Sequence, residues 1–307
     1  MIKLDSNAYQ LILNIDKWQL IAVVLKSLTY ASVLSAAGGI FFLSLFSSQL
    51  LDTEKSNLKS HITLMAYVGF ISSIIRICNL NIILSGDLFM IFNPTFTKII
   101  LDSKEGFSTE LRMTAMLIIL LVGIIPLNNL SKMILIFGAI LSAVSFALVG
   151  HSSEITSNTW PPILAEALLS LHLITVSFWI GSLLPLHRLT YSNDLTRVAK
   201  IMHRFGQVAI LVVAILVILG LILVGLILNN CEMLLFSGYG KLVLLKLLFV
   251  TILISIAAKN KLKLTPLLLS GNQMANFKIR QQIKFEIVLV ALILLVTASF
   301  TVLVGPP

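Results

Sequence analysis

The sequence predicts an all-α protein, a polytopic transmembrane helical bundle of about eight spans. Composition is the first observation. Of 307 residues, 58% are hydrophobic and 11% charged, against about 25% charged in a soluble domain. Mean hydropathy is +1.01. The second is the length of the apolar runs, about 20 residues, which matches a hydrocarbon core of roughly 30 Å. The third is the lack of the short alternating segments that a β-barrel requires. The net charge of +9 follows from basic residues confined to particular loops, as membrane topology demands, so nucleic acid is not expected as a partner.

In chain order the expected spans are Leu20–Ser47, Ile62–Leu84, Met113–Leu127, Lys132–Gly150, Pro162–Leu186, Phe205–Leu228, Leu242–Ala258 and Phe285–Val304. The third is the weakest, being short and closed by Pro126 and Asn128-Asn129. Met1 to Gln19 mixes charge and polarity throughout and lacks the apolar core and cleavage site of a signal peptide, so the first span is expected to direct insertion. Two regions follow: 1–128, with three spans and an outer interfacial segment, and 129–307, with five spans.

The loops set the orientation. The segments after the odd-numbered spans carry thirteen Lys and Arg residues: Lys55, Lys59, Lys132, Arg188, Arg197, Lys200, Arg204, Lys259, Lys261, Lys263, Lys278, Arg280 and Lys284. The N-terminus and the alternate loops carry six: Lys3, Lys17, Lys98, Lys104, Arg112 and Lys241. The first set is therefore expected in the cytoplasm, with both termini outside. Acids such as Asp87, Asp102, Glu105, Glu154 and Glu232 enrich the outer face, which mildly favours an approaching cation. The outer stretch Asp87–Arg112 is too polar to span and should fold as short interfacial helices. The basic stretch Lys259–Lys284, read as a loop, suits anionic headgroups of the bilayer.

Polar groups within the spans carry the functional signal, because a charge at a helix centre costs at least ~2.5–3.5 kcal/mol. They are Lys26, Arg76, Glu166, His172 and Lys246. His172 stands about 15 Å into the fifth span, at 1.5 Å per residue. Thr175, Trp179 and Ser182 share its face, and Glu166, Ser170 and Ser177 form a second polar stripe. An imidazole there can ligate a transition metal, relay a proton or simply bond a neighbouring helix. His151, at the outer end of the fourth span, would lie above it. His61, His187 and His203 map to the basic ends of spans. Met113, Met116, Cys231 and Met233 offer soft donors near the outer side. Packing is the simpler reading of each. Cys78 and Cys231 make no disulfide or zinc pattern.

These residues, taken in order, resemble the copper resistance protein D (CopD) family of bacterial inner-membrane proteins. The resemblance rests on Gly150-His151, LHLITVSFWIGSLLPL from Leu171, HRFGQVA from His203, SGYGKLVLLKLLFV from Ser237, AAKNKLKLTPLLL from Ala257 and IRQQIKFE before the last span. It covers roughly Ile134–Pro307, and more loosely the N-terminal half through a basic residue and Gly38-Gly39 in span one. Lys26, Lys241 and Lys261 stand where arginine is usual, which keeps charge but loses bidentate geometry.

The resemblance implies eight spans and copper uptake across the inner membrane, with copper as transported ion or ligand and a periplasmic CopC-like copper-binding protein as possible donor. His151 and His172 match the family motifs and become the leading metal contacts; His203, Met113, Met116, Cys231 and Met233 are weaker candidates. No organic cofactor is expected. There is no P-loop, no Asp-Lys-Thr-Gly motif and no catalytic constellation, so the chain is not expected to be an enzyme, and energy would come from gradients or a delivery partner. The alternatives are a membrane copper sensor, a cuproenzyme assembly factor, or a haem or redox protein. Haem is disfavoured because bis-histidine ligation needs two facing histidines at one depth.

Overall fold

The computed structural model describes residues 16–126, 128–149, 162–227, 234–235 and 237–304. In chain order it contains α1 (Lys17–Phe46), α2 (Asp52–Ser85), a single-turn helix (Leu88–Met90), α3 (Pro94–Leu101), α4 (Lys104–Gly123) and α5 (Asn129–Ser145). Then follow α6 (Pro162–Leu189), α7 (Leu195–Ile227), α8 (Gly238–Lys259), a π-helical turn (Asn260–Leu264), α9 (Thr265–Leu269), α10 (Gln273–Ser299) and a second π turn (Phe300–Val304). Among the described residues seven helices are long and apolar enough to cross a bilayer, and α5, at 17 residues, is a shorter apolar helix. The chain is a polytopic all-α bundle.

The helices start earlier than the hydropathy pattern predicts. α2 begins at Asp52 rather than Ile62, α4 at Lys104 rather than Met113, α7 at Leu195 rather than Phe205 and α10 at Gln273 rather than Phe285. Charge ends a membrane span, but Lys, Glu, Gln and Arg are good helix formers, so it does not end a helix. The caps lie in the polar flanks: Ser103 Oγ accepts from Gly106 N–H (3.2 Å), Asp194 Oδ1 from Arg197 N–H (3.0 Å) and Asn272 Oδ1 from Ala275 N–H (3.3 Å). Two expectations are thereby corrected. The third span is not the shortest, since α4 gains its polar first turns and α5 is shorter. Nor is Lys259–Lys284 a loop: it is helical save for Ser270–Asn272, where Gly271 takes a φ of +86° that other residues rarely adopt.

α1 is the hub, packing on α2, α5, α6 and α10. Its crossing with α6 is made backbone to backbone. A Cβ at Gly38 would lie 1.7 Å from the Ser177 carbonyl oxygen, and one at Gly181 would lie 2.3 Å from the Gly38 carbonyl carbon. Small residues permit this approach and the dispersion it brings, which is the main attraction between helices in lipid. α7 and α8 sit at the periphery; among the described residues their backbones scarcely meet, although Val224 of α7 packs against the cluster that Tyr239 and Val243 of α8 form with Phe300.

The segment between α2 and α4 is tied down by Asn81, whose Nδ2 donates to Ile91 O (2.9 Å) and Thr97 Oγ1 (2.8 Å). Phe89 and Phe92 point outward, 91% and 77% exposed, as expected of short helices lying in a bilayer interface. At the basic end, several cations are engaged inside the protein instead of facing headgroups. Arg197 makes a two-pronged pair with Glu54 (2.8 Å for each prong), joining α7 to α2. Arg280 donates from Nε to Thr190 Oγ1 (3.0 Å) and from Nη2 to Thr190 O (2.5 Å), capping the C-terminal end of α6. Lys259, Lys263, Lys278 and Lys284 remain exposed.

Candidate functional site

α6 presents two different faces. The Ser177 side is pressed on Gly38 of α1. His172 is about 140° away around the helix, at 100° per residue, and looks toward α7. Its Cε1 lies 3.6 Å from the position of a Cβ on Gly220, within reach of the Leu216 backbone one turn away. Lys246 of α8 is near enough for its charge to act on the ring, and its Nζ sits 5.8 Å from the centre of the Phe300 ring. His172 thus faces α7, with Lys246 of α8 nearby.

The hydroxyls expected to line the helix are occupied by the helix itself. Thr175 Oγ1 donates to His172 O (2.7 Å), Ser182 Oγ to Phe178 O (2.6 Å), Ser177 Oγ to Ile174 O (2.7 Å) and Ser170 Oγ to Glu166 O (2.7 Å). Such bonding back to the preceding turn is how Ser and Thr satisfy themselves in an apolar helix. Three ring nitrogens of α6 are different. His172 Nδ1, Trp179 Nε1 and His187 Nε2 are buried and have no hydrogen-bond partner among the described residues. The first two lie two turns apart on one stripe, about 10 Å along the axis. A buried polar group without a partner demands an explanation such as a water or an ion, and two on one stripe mark a polar track through an otherwise apolar wall.

The other candidates are dispersed. His151, Cys231 and Met233 lie outside the described residues. Met116 is buried under Gly69 of α2, its sulfur 3.4 Å from the position of a Cβ there, and Met113 is half-buried one turn before it on α4. His203 is exposed on α7, and its backbone carbonyl accepts from Lys261 Nζ (3.2 Å), whose stem crosses Gly206. His61 Nε2 is 2.9 Å from Ser35 Oγ and lines a cavity of about 100 Å³ with Glu54, Asn57, Pro185 and Arg188. His187 stands edge-on to Tyr191. Among the described residues no three His, Cys, Asp or Glu come together as a metal-holding group.

The structure adds groups that hydropathy concealed. Glu286, 4% exposed, accepts from Asn260 Nδ2 (2.8 Å), which the π turn swings toward α10. The signal was present: Glu286 lies on the same stripe as Ile279, Ile283 and Val290. Arg112, 1% exposed, is not in a loop but on the Ala115–Met116–Ile119 face of α4. Arg76 pairs with Glu105 and not with Glu166.

Fold and site together define a polytopic membrane protein whose buried polar groups lie along helices. Comparison with protein families narrows this class. Residues 15–157 match the copper resistance protein D-like N-terminal domain, and residues 199–300 match copper resistance protein D. The chain belongs to the copper resistance protein D family and is a multi-pass membrane protein related to copper resistance. The first match runs over α1 to α5 and the second over most of α7 to α10, so α6 with His172 falls between them. No curated protein and no solved structure matches the chain.

Proposed function

We propose that the protein carries copper inward across the bacterial inner membrane, with His172 as the deep contact and His151 as the outer one. The observation that carries this reading is the buried Nδ1 of His172, unpartnered among the described residues and facing α7, in a chain of a copper resistance family. A neutral imidazole is a good copper ligand. A single strong ligand at that depth favours release as well as capture, which a transported ion requires. Copper is cargo in this scheme, and a CopC-like periplasmic protein would be its donor. The basic loops would lie in the cytoplasm and both termini in the periplasm.

The experiment is copper uptake into proteoliposomes, with metal stoichiometry measured on the same preparation. Wild type should accumulate copper. His172→Ala should abolish the flux while leaving thermal stability close to wild type. His172→Gln keeps a hydrogen-bonding group but is a poor copper ligand, and should fail equally; transport restored by Gln would make the residue a structural donor. Reporters placed after Pro307 and at Gly271 should report opposite sides of the membrane, the first periplasmic.

A further inference from the structure

We propose that the end of the bundle opposite the basic loops binds a phosphate-class oxyanion between α1, α2 and α4, held by Lys26, Arg76 and Arg112. The antiparallel register of α1 and α2 puts two of these cations at one level. Trp18 O accepts from Asn79 Nδ2 (3.4 Å), and Thr29 Oγ1 donates to Ser72 Oγ (3.0 Å). Lys26 is one turn before Thr29, and Arg76 one turn after Ser72, so they face the same layer. α4 supplies the third. Ser108 and Arg112 follow Glu105 along one side of the helix, and Glu105 is paired with Arg76. Lys26 lies within electrostatic reach of Arg76, Glu105 and Arg112 together.

Among the described residues the charges do not balance: three cations share one carboxylate, and Arg76 takes it. Arg112 is 1% exposed. Its Nη2 donates to Ser108 Oγ (2.9 Å), its Nε to Ser145 Oγ (3.3 Å), and its guanidinium lies 4.0 Å from the centre of the Phe146 ring. Both hydroxyls are neutral. Nη1 is buried and has no partner. Lys26, half-buried, has no hydrogen-bond or ion-pair partner among the described residues. Buried cations in excess of acids are costly unless an anion joins them. A guanidinium fork with a free prong, beside an ammonium, is the arrangement that phosphate oxygens fit. Such a group repels a bare copper ion, so this site is separate from the His172 track. The oxyanion is supplied either by a lipid headgroup reaching Lys26 from the leaflet or by a free phosphate.

The full chain is reconstituted without copper in nanodiscs of phosphatidylcholine, with and without inorganic phosphate, and in nanodiscs containing phosphatidylglycerol. Bound phosphate is measured by equilibrium dialysis of labelled phosphate, and retained phosphatidylglycerol by native mass spectrometry. Wild type should hold one of the two, and which it holds identifies the source. Arg112→Gln and Lys26→Met should each weaken that binding about tenfold or more, the loss of one charge-assisted contact. Lys26→Met keeps the apolar stem, so it decides the matter if Arg112→Gln does not fold. Wild type that holds neither anion, or Lys26→Met that binds as wild type does, overturns the proposal. Because copper is absent throughout, its failure is distinct from a failure of the transport reading.

Discussion

The two halves of the bundle treat buried polarity in opposite ways. In the N-terminal half, α1, α2, α4 and α5 gather Lys26, Arg76, Glu105 and Arg112 into one layer and pack tightly around it, with Tyr30 and Phe146 in ring contact (4.7 Å between centroids). In the C-terminal half the α7 and α8 backbones scarcely meet among the described residues, and the polar groups are strung along single helices, His172 above Trp179 on α6 and Glu286 on α10. Clustered charge under tight packing makes a rigid body, even with Arg112 Nη1 left over for an anion. On the transport reading proposed above, the half that moves copper is the C-terminal one, braced against the N-terminal half through α1.

That division can be broken most severely at the brace. Gly38 and Gly181 bring α1 and α6 into backbone contact. Gly38→Leu forces a side chain into the Ser177 carbonyl and should cost about 3 kcal/mol or more, at the upper end of overpacking effects. The expected readout is loss of a monodisperse folded species in detergent. A variant as stable as wild type would mean that the halves are not joined there.

The next effect is smaller and confined to one half's function. The stated loss of uptake in His172→Ala should come with only a modest change in melting temperature, because Nδ1 has no partner among the described residues and the ring's polar contact is limited to the Leu216 backbone. Arg197→Ala should show the reverse profile. It removes a paired, largely buried guanidinium that clamps α7 to α2, and should lower stability by about 1–3 kcal/mol while leaving the copper dependence of uptake intact. Thermal melts and initial-rate measurements on the two variants separate them. If Arg197→Ala changed apparent copper affinity, the basic end would belong to the pathway.

How far these features could be read from sequence depended on what each residue must satisfy. Spans were legible because lipid enforces apolar length, and α1 and α6 were expected close to their observed bounds. His172 stood out in sequence because an imidazole interrupts the apolar run LSLHLITVSF, but the pattern left metal ligand, proton relay and interhelical bond open. Helix starts were not legible, since Asp52 and Gln273 lie in polar flanks where hydropathy is silent and capping decides. Arg112 was mistaken for a loop residue for the same reason: its burial rests on Ser108, Ser145 and Phe146, the last two at the C-terminal end of α5. The roles of Gly38 and Arg280 are tertiary facts, visible only once α6 is in place. The polar stripes on α6 were overread, because hydroxyl spacing cannot show that each bonds its own helix.

The smallest expected effect tests the path between the outer surface and the deep histidine. An ion that steps from His151 to His172 meets two ligands in series. Removing the outer one leaves the crossing intact but makes capture harder. His151→Ala should therefore raise the copper concentration for half-maximal uptake several-fold, while the maximal rate stays near wild type; one lost ligand of this kind is worth about 1–2 kcal/mol. Copper binds only the deprotonated imidazole, so protons compete with the metal. With a histidine's ordinary pKa of about 6.5, bound protons rise and uptake falls as external pH drops through 6, and raising the copper concentration should recover part of the loss. The pH-dependent part of the affinity should shrink in His151→Ala, because the outer site, the one that meets external protons, is gone. Equal defects in rate for His151→Ala and His172→Ala, or a flux indifferent to external pH, would place both residues outside a serial path and return the His172 face of α6 to simple packing.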